Sequence, residues 1–192
     1  MRTVHPIEAE SYRRLRAAVD TSGLPPRTRD VVERIVHTTA DPAWLPDLVP
    51  DEEALVAGAE ALAAGAPLIV DVAMVAAGIT AYEARCRLGP RVDGLTRTAA
   101  GIRLAAEETP DGGVWAIGNA PTALDELIRL AEEGRIRPAL VIGLPVGYVG
   151  AVEAKAALRA SGLPNLSNRS ARGGSAVAAA AVNALLYGDP LA

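Results

Sequence analysis

A β-branched run that ends in a glycine turn and continues into a helix occurs twice in close succession, and that repetition restricts the fold more than any other feature of the chain. The first copy is Val114-Trp-Ala-Ile-Gly-Asn-Ala-Pro-Thr-Ala-Leu124; the second is Ala139-Leu-Val-Ile-Gly-Leu-Pro-Val-Gly-Tyr-Val-Gly-Ala-Val-Glu-Ala-Lys155. Two such units in sequence imply neighbouring parallel strands with their carboxyl ends side by side, where open α/β sheets bind ligands. Gly143, Gly147 and Gly150 permit backbone angles closed to other residues and a close approach of backbone to ligand. The helix opening near Val149 to Glu153 aims free N–H groups at the same place and favours an anionic ligand. In the first copy Asn119 and Pro121 announce the helix start.

The remaining pattern agrees. Two amphipathic helices are predicted at Pro6 to Val19, with Ile7, Leu15 and Val19 inward, and at Pro25 to Thr38, with Val31, Val32, Ile35 and Val36 as the buried stripe. Residues 41–50 read as a loop, and Asp51 to Ala64 as a helix closed by Gly65. Strands are predicted at 66–72, 84–88, 114–117, 139–142 and 163–168, with helices at 96–108, 122–133, 150–159 and 175–187. Strands separated by helical segments require a mainly parallel sheet covered by helices on both faces. The expected architecture is therefore α/β, with an N-terminal helical segment and one domain over residues 1–192.

Several function classes are excluded or disfavoured. The net charge is −4, and phosphate neutralisation needs clustered basic residues, so nucleic acid is not an expected partner. Cys86 is the only cysteine, which rules out an intrachain disulfide, a thiolate metal site and a dithiol pair, and fits a reducing compartment. The most apolar run, Ala176 to Leu186, is too short to cross a bilayer and contains Asn183, so no membrane partner and a cytoplasmic location are expected. The dinucleotide and phosphate-loop glycine motifs and the nucleophile elbow are missing, and two histidines cannot form a histidine-rich metal site.

Four places carry candidate chemistry. His37 falls at the C-terminal end of a helix, where unpaired carbonyls and Glu33 four residues earlier favour the protonated ring; it is either a poised acid or a helix cap. Thr96 caps a helix start beside Arg97, making either a carboxylate receptor or a solvated arginine on a capped helix. Arg169 to Ser175 joins basic residues, a Gly-Gly turn and a helix start, as an anion site or an ordinary loop. Asp71 ends a buried strand, either as site chemistry or as a cap for the next turn.

Seven segments together resemble the precorrin-8X methylmutase family of corrin ring biosynthesis, over about His5 to Tyr187. They are His5-Pro-Ile-Glu-Ala-Glu-Ser-Tyr12, Ile35-Val-His-Thr-Thr39, Asp71-Val-Ala-Met-Val-Ala-Ala-Gly-Ile79, Leu95-Thr-Arg-Thr-Ala-Ala100, Ile117-Gly-Asn-Ala-Pro-Thr-Ala-Leu124, Pro138 to Lys155, and Gly173-Gly-Ser-Ala176. The resemblance implies an α/β homodimer that moves a methyl group from C-11 to C-12 of a tetrapyrrole without a cofactor or metal. It implies His37 as the catalytic residue. It implies substrate contacts at Ser11, Thr38, Met74, Thr96, Arg97, Thr98, Asn119, Gly147, Arg172 and Ser175.

The chain departs from the family pattern in a short Gly78 to Thr96 connection and in Ser170-Ala-Arg-Gly-Gly-Ser175, where the family run has Gly-Arg-Lys-Gly-Gly-Ser. Arg172 or Arg169 then supplies the basic group. The alternative reading is a non-catalytic tetrapyrrole binder or carrier using the same slot, and a third is a nucleotide-binding α/β enzyme. A planar macrocycle exceeds the gap between two adjacent strand ends, so a partner subunit is expected to cover it, with the apolar stretch Trp44 to Val49 as interface or lid.

Overall fold

In the computed structural model, which describes residues 4–191, the helical N-terminal segment is α1 (Pro6–Ala18) and α2 (Pro26–Thr39). Each opens on proline, tolerated there because a first-turn N–H has no helical acceptor. The short α3 (Trp44–Asp47) and β1 (Leu48–Pro50) follow, then α4 (Glu52–Ala63), whose cap Asp51 accepts bonds from the amides of Glu53 and Ala54. The alternating part comprises β2 (Leu68–Val70), α5 (Ala73–Ala77), β3 (Ala84–Cys86), α6 (Arg97–Glu108), β4 (Val114–Ile117) and α7 (Pro121–Glu132). It ends with β5 (Leu140–Gly143), α8 (Ala151–Ala160), β6 (Asn165–Asn168) and α9 (Ser175–Tyr187).

The strands form one sheet in the order β1-β6-β5-β4-β2-β3, parallel throughout except for β1 against β6. The β4–β5 pairing read from the twin glycine-turn units is present, in the register Val114 to Leu140 through Ile117 to Gly143. Both faces are covered, as the buried strands β2, β4 and β5 require. One face packs Val70, Ala116, Leu140 and Ile142 against α2, α4 and α9; the other packs Ile69, Trp115, Ile117 and Val141 against α6, α7 and α8. The alanines of α9 let it sit close to both sheet and α2, with Ala178, Ala181 and Ala184 fully buried.

Two expectations are corrected. Residues 44–50 are not a loop acting as interface or lid: Trp44 and Leu48 are core residues, and β1 is a sheet edge that pairs Leu48 with Asn168. Such a short strand ending in proline depends on its distant partner, which local pattern does not reveal. Ile7 is 75% exposed rather than part of the buried stripe of α1, whose inward residues are Tyr12 and Leu15, followed by Val19 at its C-cap.

Candidate active site

His37 lies in the last turn of α2. Ala40 ends that helix in the left-handed conformation (φ 51°), and the chain passes through α3 to β1, which begins opposite the last residue of β6. The C-terminal end of α2 therefore stands at the level of the carboxyl edge of the parallel strands. Across from it, Ser11 of α1 places its hydroxyl oxygen 2.8 Å from His37 Nδ1. The Tyr12 ring stacks on the imidazole, with centroids 4.9 Å apart and planes 25° apart. Arg34, one turn back, lies over Tyr12 and Tyr187 and pairs with Glu8 at 3.2 Å.

These neighbours reverse the charge expectation for His37. Burial, and then the Arg34 charge, pull its pKa below the ordinary imidazole value, while Glu8 opposes them. Glu33 does not help, because its carboxylate is buried against Arg16 at 2.8 Å and the Thr21 hydroxyl at 2.6 Å. At neutral pH the ring is mainly uncharged. A Ser11 hydroxyl donating to Nδ1 then leaves the ring proton on Nε2, and protonation reverses that bond.

The imidazole borders a cleft of about 250 Å³ between α1 and α2, lined by Ser11, Arg14, Leu15, Val36, Ala40 and Pro42 among others. A further hollow of about 470 Å³ shares Ser11 and Arg14 and runs past Pro6, Ile7 and Glu10. The combined groove is mostly apolar with one guanidinium at its rim, that of Arg14, held loosely by Glu10 at 2.9 Å. Thr38, beside His37, is exposed.

A second cluster occupies the carboxyl edge of the sheet. Asp71, at the end of β2, is fully buried and accepts bonds from the amides of Gly118, Asn119 and Ala120, at 3.1, 2.8 and 2.8 Å. Burial raises its pKa against the pull of the three amides. Asp71 therefore clamps the β4–α7 turn and is not a reacting group. That clamp presents the exposed Asn119 and starts α7, whose Thr122 hydroxyl lies 2.7 Å from that of Thr96. Thr96 caps α6 as expected, accepting from Ala99, and its hydroxyl is 3.0 Å from that of Thr98; Arg97 is exposed beside them. Met74 on α5 is 70% exposed, and Tyr148 and Val149 beyond β5 are almost wholly so.

The loop from Arg169 to Gly174 joins the two clusters. Arg172 pairs with Asp41 just past the end of α2 and stacks on Trp44, 4.3 Å from the ring centre. The same loop accepts the Gly147 amide through the Ala171 carbonyl, and the Gly174 amide donates to Leu144. Gly173 lies so close to the chain of β5 that a Cβ would meet the Leu144 carbonyl oxygen at 2.3 Å, so no other residue fits. Val146, Gly147, Tyr148, Ala171 and Arg172 line a hollow of about 260 Å³. Ser175, at the start of α9, is buried, and its hydroxyl has no hydrogen-bond partner among the described residues. Arg169 turns away, its guanidinium donating to the carbonyls of Pro46 and Leu48.

The structure thus groups Ser11, Thr38 and His37 at one end. Met74, Thr96, Arg97, Thr98, Asn119, Gly147 and Ser175 lie along the strand ends, and Arg172 bridges the two sets. Sequence reasoning missed Arg34, Asp47, Thr122 and Lys155 as organising residues. Lys155 had a readable signal: with Ala151, Ala154 and Leu158 it falls on the inward stripe of α8. Among the described residues, no group of three or more His, Cys, Asp or Glu side chains could hold a metal ion.

The sequence profile of the CbiC family, precorrin-8X methylmutase, matches residues 6–188. The cobalt-precorrin-8 methylmutase of Methanocaldococcus jannaschii is 40% identical over 163 residues, 81% of this chain and 77% of that protein. The precorrin-8X methylmutase of Pseudomonas aeruginosa is 39% identical over 194 residues, 93% of each chain. Among solved structures, the precorrin-8x methyl mutase of Thermus thermophilus superposes with a TM-score of 0.86 at 35% identity, covering 93% of each chain.

Proposed function

The chain belongs to the precorrin-8X methylmutase family, and from that premise we propose that it moves the C-11 methyl group of precorrin-8X or cobalt-precorrin-8 to C-12. The product is hydrogenobyrinate or cobyrinate, in cobalamin biosynthesis, and the enzyme is an isomerase. The observation that carries the mechanism is the His37 imidazole, half-buried at the rim of an apolar cleft with its Nδ1 held by the Ser11 hydroxyl.

In the rearrangement the C-11–methyl bond breaks as the C-12–methyl bond forms within one conjugated ring. A proton delivered to the macrocycle draws electron density toward the migration terminus and lowers the barrier. Substrate and product are isomers, so a proton taken up is later given back, and one imidazole serves both steps. The depressed His37 pKa makes the protonated ring a stronger acid than an ordinary imidazolium, and the substrate's carboxylates raise that pKa on binding and load the proton. The alkaline limb of kcat is therefore expected at higher pH than that of kcat/KM. Coincident limbs would remove substrate-assisted loading from the account.

We assign substrate contacts to Ser11, Thr38, Met74, Thr96, Arg97, Thr98, Asn119, Gly147, Arg172 and Ser175, which alternate apolar surface with amides, hydroxyls and cations. Arg97→Ala is expected to weaken product binding by roughly 1.5–3 kcal/mol, the scale of a charge-assisted bond, with little effect on Tm because the side chain is exposed. Lysine at 97 should recover only part of the loss. Unchanged product titrations for both variants would leave Arg97 as a solvated residue on a capped helix.

A homodimer is the assembly that fits this surface. Met74, Tyr148 and Val149 expose a sticky apolar edge beside the proposed slot, which a second copy would cover. This replaces Trp44 and Leu48, which are core, as the expected interface. Light scattering at low micromolar concentration should give twice the chain mass, and Tyr148→Glu should give a monomer with reduced activity. A fully active monomer would mean that one chain closes the slot alone. A cytoplasmic setting suits such a biosynthetic step; no helix among the described residues is long and apolar enough to cross a membrane.

The competing reading is a tetrapyrrole carrier. Supplying substrate in excess of enzyme and following the corrin chromophore separates the two: multiple turnovers support the mutase, and stoichiometric binding without colour change supports the carrier.

A further inference from the structure

Lys155 is completely buried on α8 yet lies outside the chemistry described above. Its ammonium has three protons and three acceptors: Asn168 Oδ1 at 2.9 Å, the Arg172 carbonyl at 2.7 Å and the Ser170 carbonyl. Asn168 in turn donates to Asp47 at 2.8 Å and to the Arg172 carbonyl at 3.0 Å. Asp47 also accepts the Ser170 amide and hydroxyl and the Arg169 amide. The loop between β6 and α9 is thus organised around one buried cation, with Asp47 at its outer side. A buried charge is costly unless fully paired, so a lysine retained here signals a demand on the loop's shape that apolar packing would not meet.

We propose that Lys155 is the positioning residue that holds the loop from Arg169 to Gly174 in its substrate-binding shape. The inference rests on the methylmutase reading and deepens it. That loop carries the Arg172 bridge to the His37 end, the Gly173 contact with the β5–α8 loop and the approach to Ser175. Three bonds from one ammonium fix two of its carbonyls and one side chain at once. Loss of the charge removes a proton from a site with three acceptors and sets a nitrogen lone pair against one of them, so the loop loosens.

The charged groups facing Lys155 are Asp47 from α3 and Arg159 one turn along α8; the guanidiniums of Arg169 and Arg172 in the loop are turned to other partners. Burial, with a smaller contribution from Arg159 and against the pull of Asp47, brings the Lys155 pKa down to about 8. At pH 7 the ammonium is charged and the anchor intact; as the pH rises through that value the anchor is released.

The test is titration of the corrin product onto the full-length protein between about pH 7 and 9.5, with steady-state kinetics alongside. Wild type should lose about tenfold in affinity with a midpoint near 8, the scale of one charge-assisted bond. Lys155→Met should bind at the weak alkaline level at every pH, with KM raised and kcat within about threefold once folded. Arg159→Gln, which leaves Lys155 in place but removes a nearby cation, should move the step to higher pH; this variant decides the matter if Lys155→Met does not fold. Wild-type affinity in Lys155→Met, or an unshifted step in Arg159→Gln, would overturn the proposal. Failure of wild type to bind or convert at pH 7 would instead overturn the methylmutase reading and this inference with it.

Discussion

His37→Ala is expected to lower turnover by about 10²–10⁴-fold, the range over which a positioned general acid contributes, while product affinity stays near wild type. The side chain is half-buried at a helix end and lies outside the apolar stripe of Val31, Val32, Ile35 and Val36. Truncation removes the stack on Tyr12 and the Ser11 bond but leaves the core and the Arg172 bridge in place. Folding should survive. Single-turnover conversion with saturating enzyme reads the chemical step apart from binding, and a variant within about threefold of wild type would take His37 out of the mechanism.

Asp71→Ala is expected to carry the largest stability loss of any single site substitution, about 3 kcal/mol or more. Three amides, the buried Gly118 and the partly buried Asn119 and Ala120, lose their acceptor together; a buried unpaired donor costs ~1–3 kcal/mol and the other two add smaller losses. The turn they belong to starts α7 and presents Asn119, so residual activity should show a raised KM as well. Asp71→Asn retains one acceptor oxygen and should fall between. Urea unfolding gives the number, and a loss under about 1 kcal/mol would mean that water satisfies the turn.

How legible these features were follows from the range of the forces behind them. The twin strand–turn–helix units were visible because glycine turns and β-branched runs are local signals, and they specified the β4–β5 pair and both covered faces. Thr96 declared itself as a cap by its place before a helix. The edge strand β1 was hidden because three residues ending in Pro50 pair only through distant Asn168, Ser167 and Leu166. For the same reason Trp44 and Leu48 read as part of an interface or lid, and the structure puts them in the core.

At the site, the position of His37 at a helix end was readable, whereas its charge balance was not. Glu33 is a sequence neighbour that faces Arg16 and Thr21, Arg34 is a nearer neighbour on α2 whose charge opposes protonation, and Tyr12 reaches the ring through packing of α1 on α2. Asp71 had two local readings, and only the placement of the β4–α7 turn over its carboxylate decides for the clamp. Lys155 sat in plain view on an apolar stripe, but its acceptors, Asn168 at the end of β6 and two carbonyls of the loop that follows, lie thirteen to seventeen residues away.

The most direct measurement follows the migrating methyl itself. Substrate carrying a carbon-13 label in the C-11 methyl group is incubated with excess unlabelled substrate and catalytic enzyme, and the product is read by carbon NMR and mass spectrometry. Intramolecular migration assisted by His37 predicts the label at C-12 of the same molecules, with no crossover into the unlabelled pool, and its appearance slowed in His37→Ala. Tightly bound substrate that keeps its label at C-11 through many equivalents would contradict the account and leave the protein a tetrapyrrole carrier.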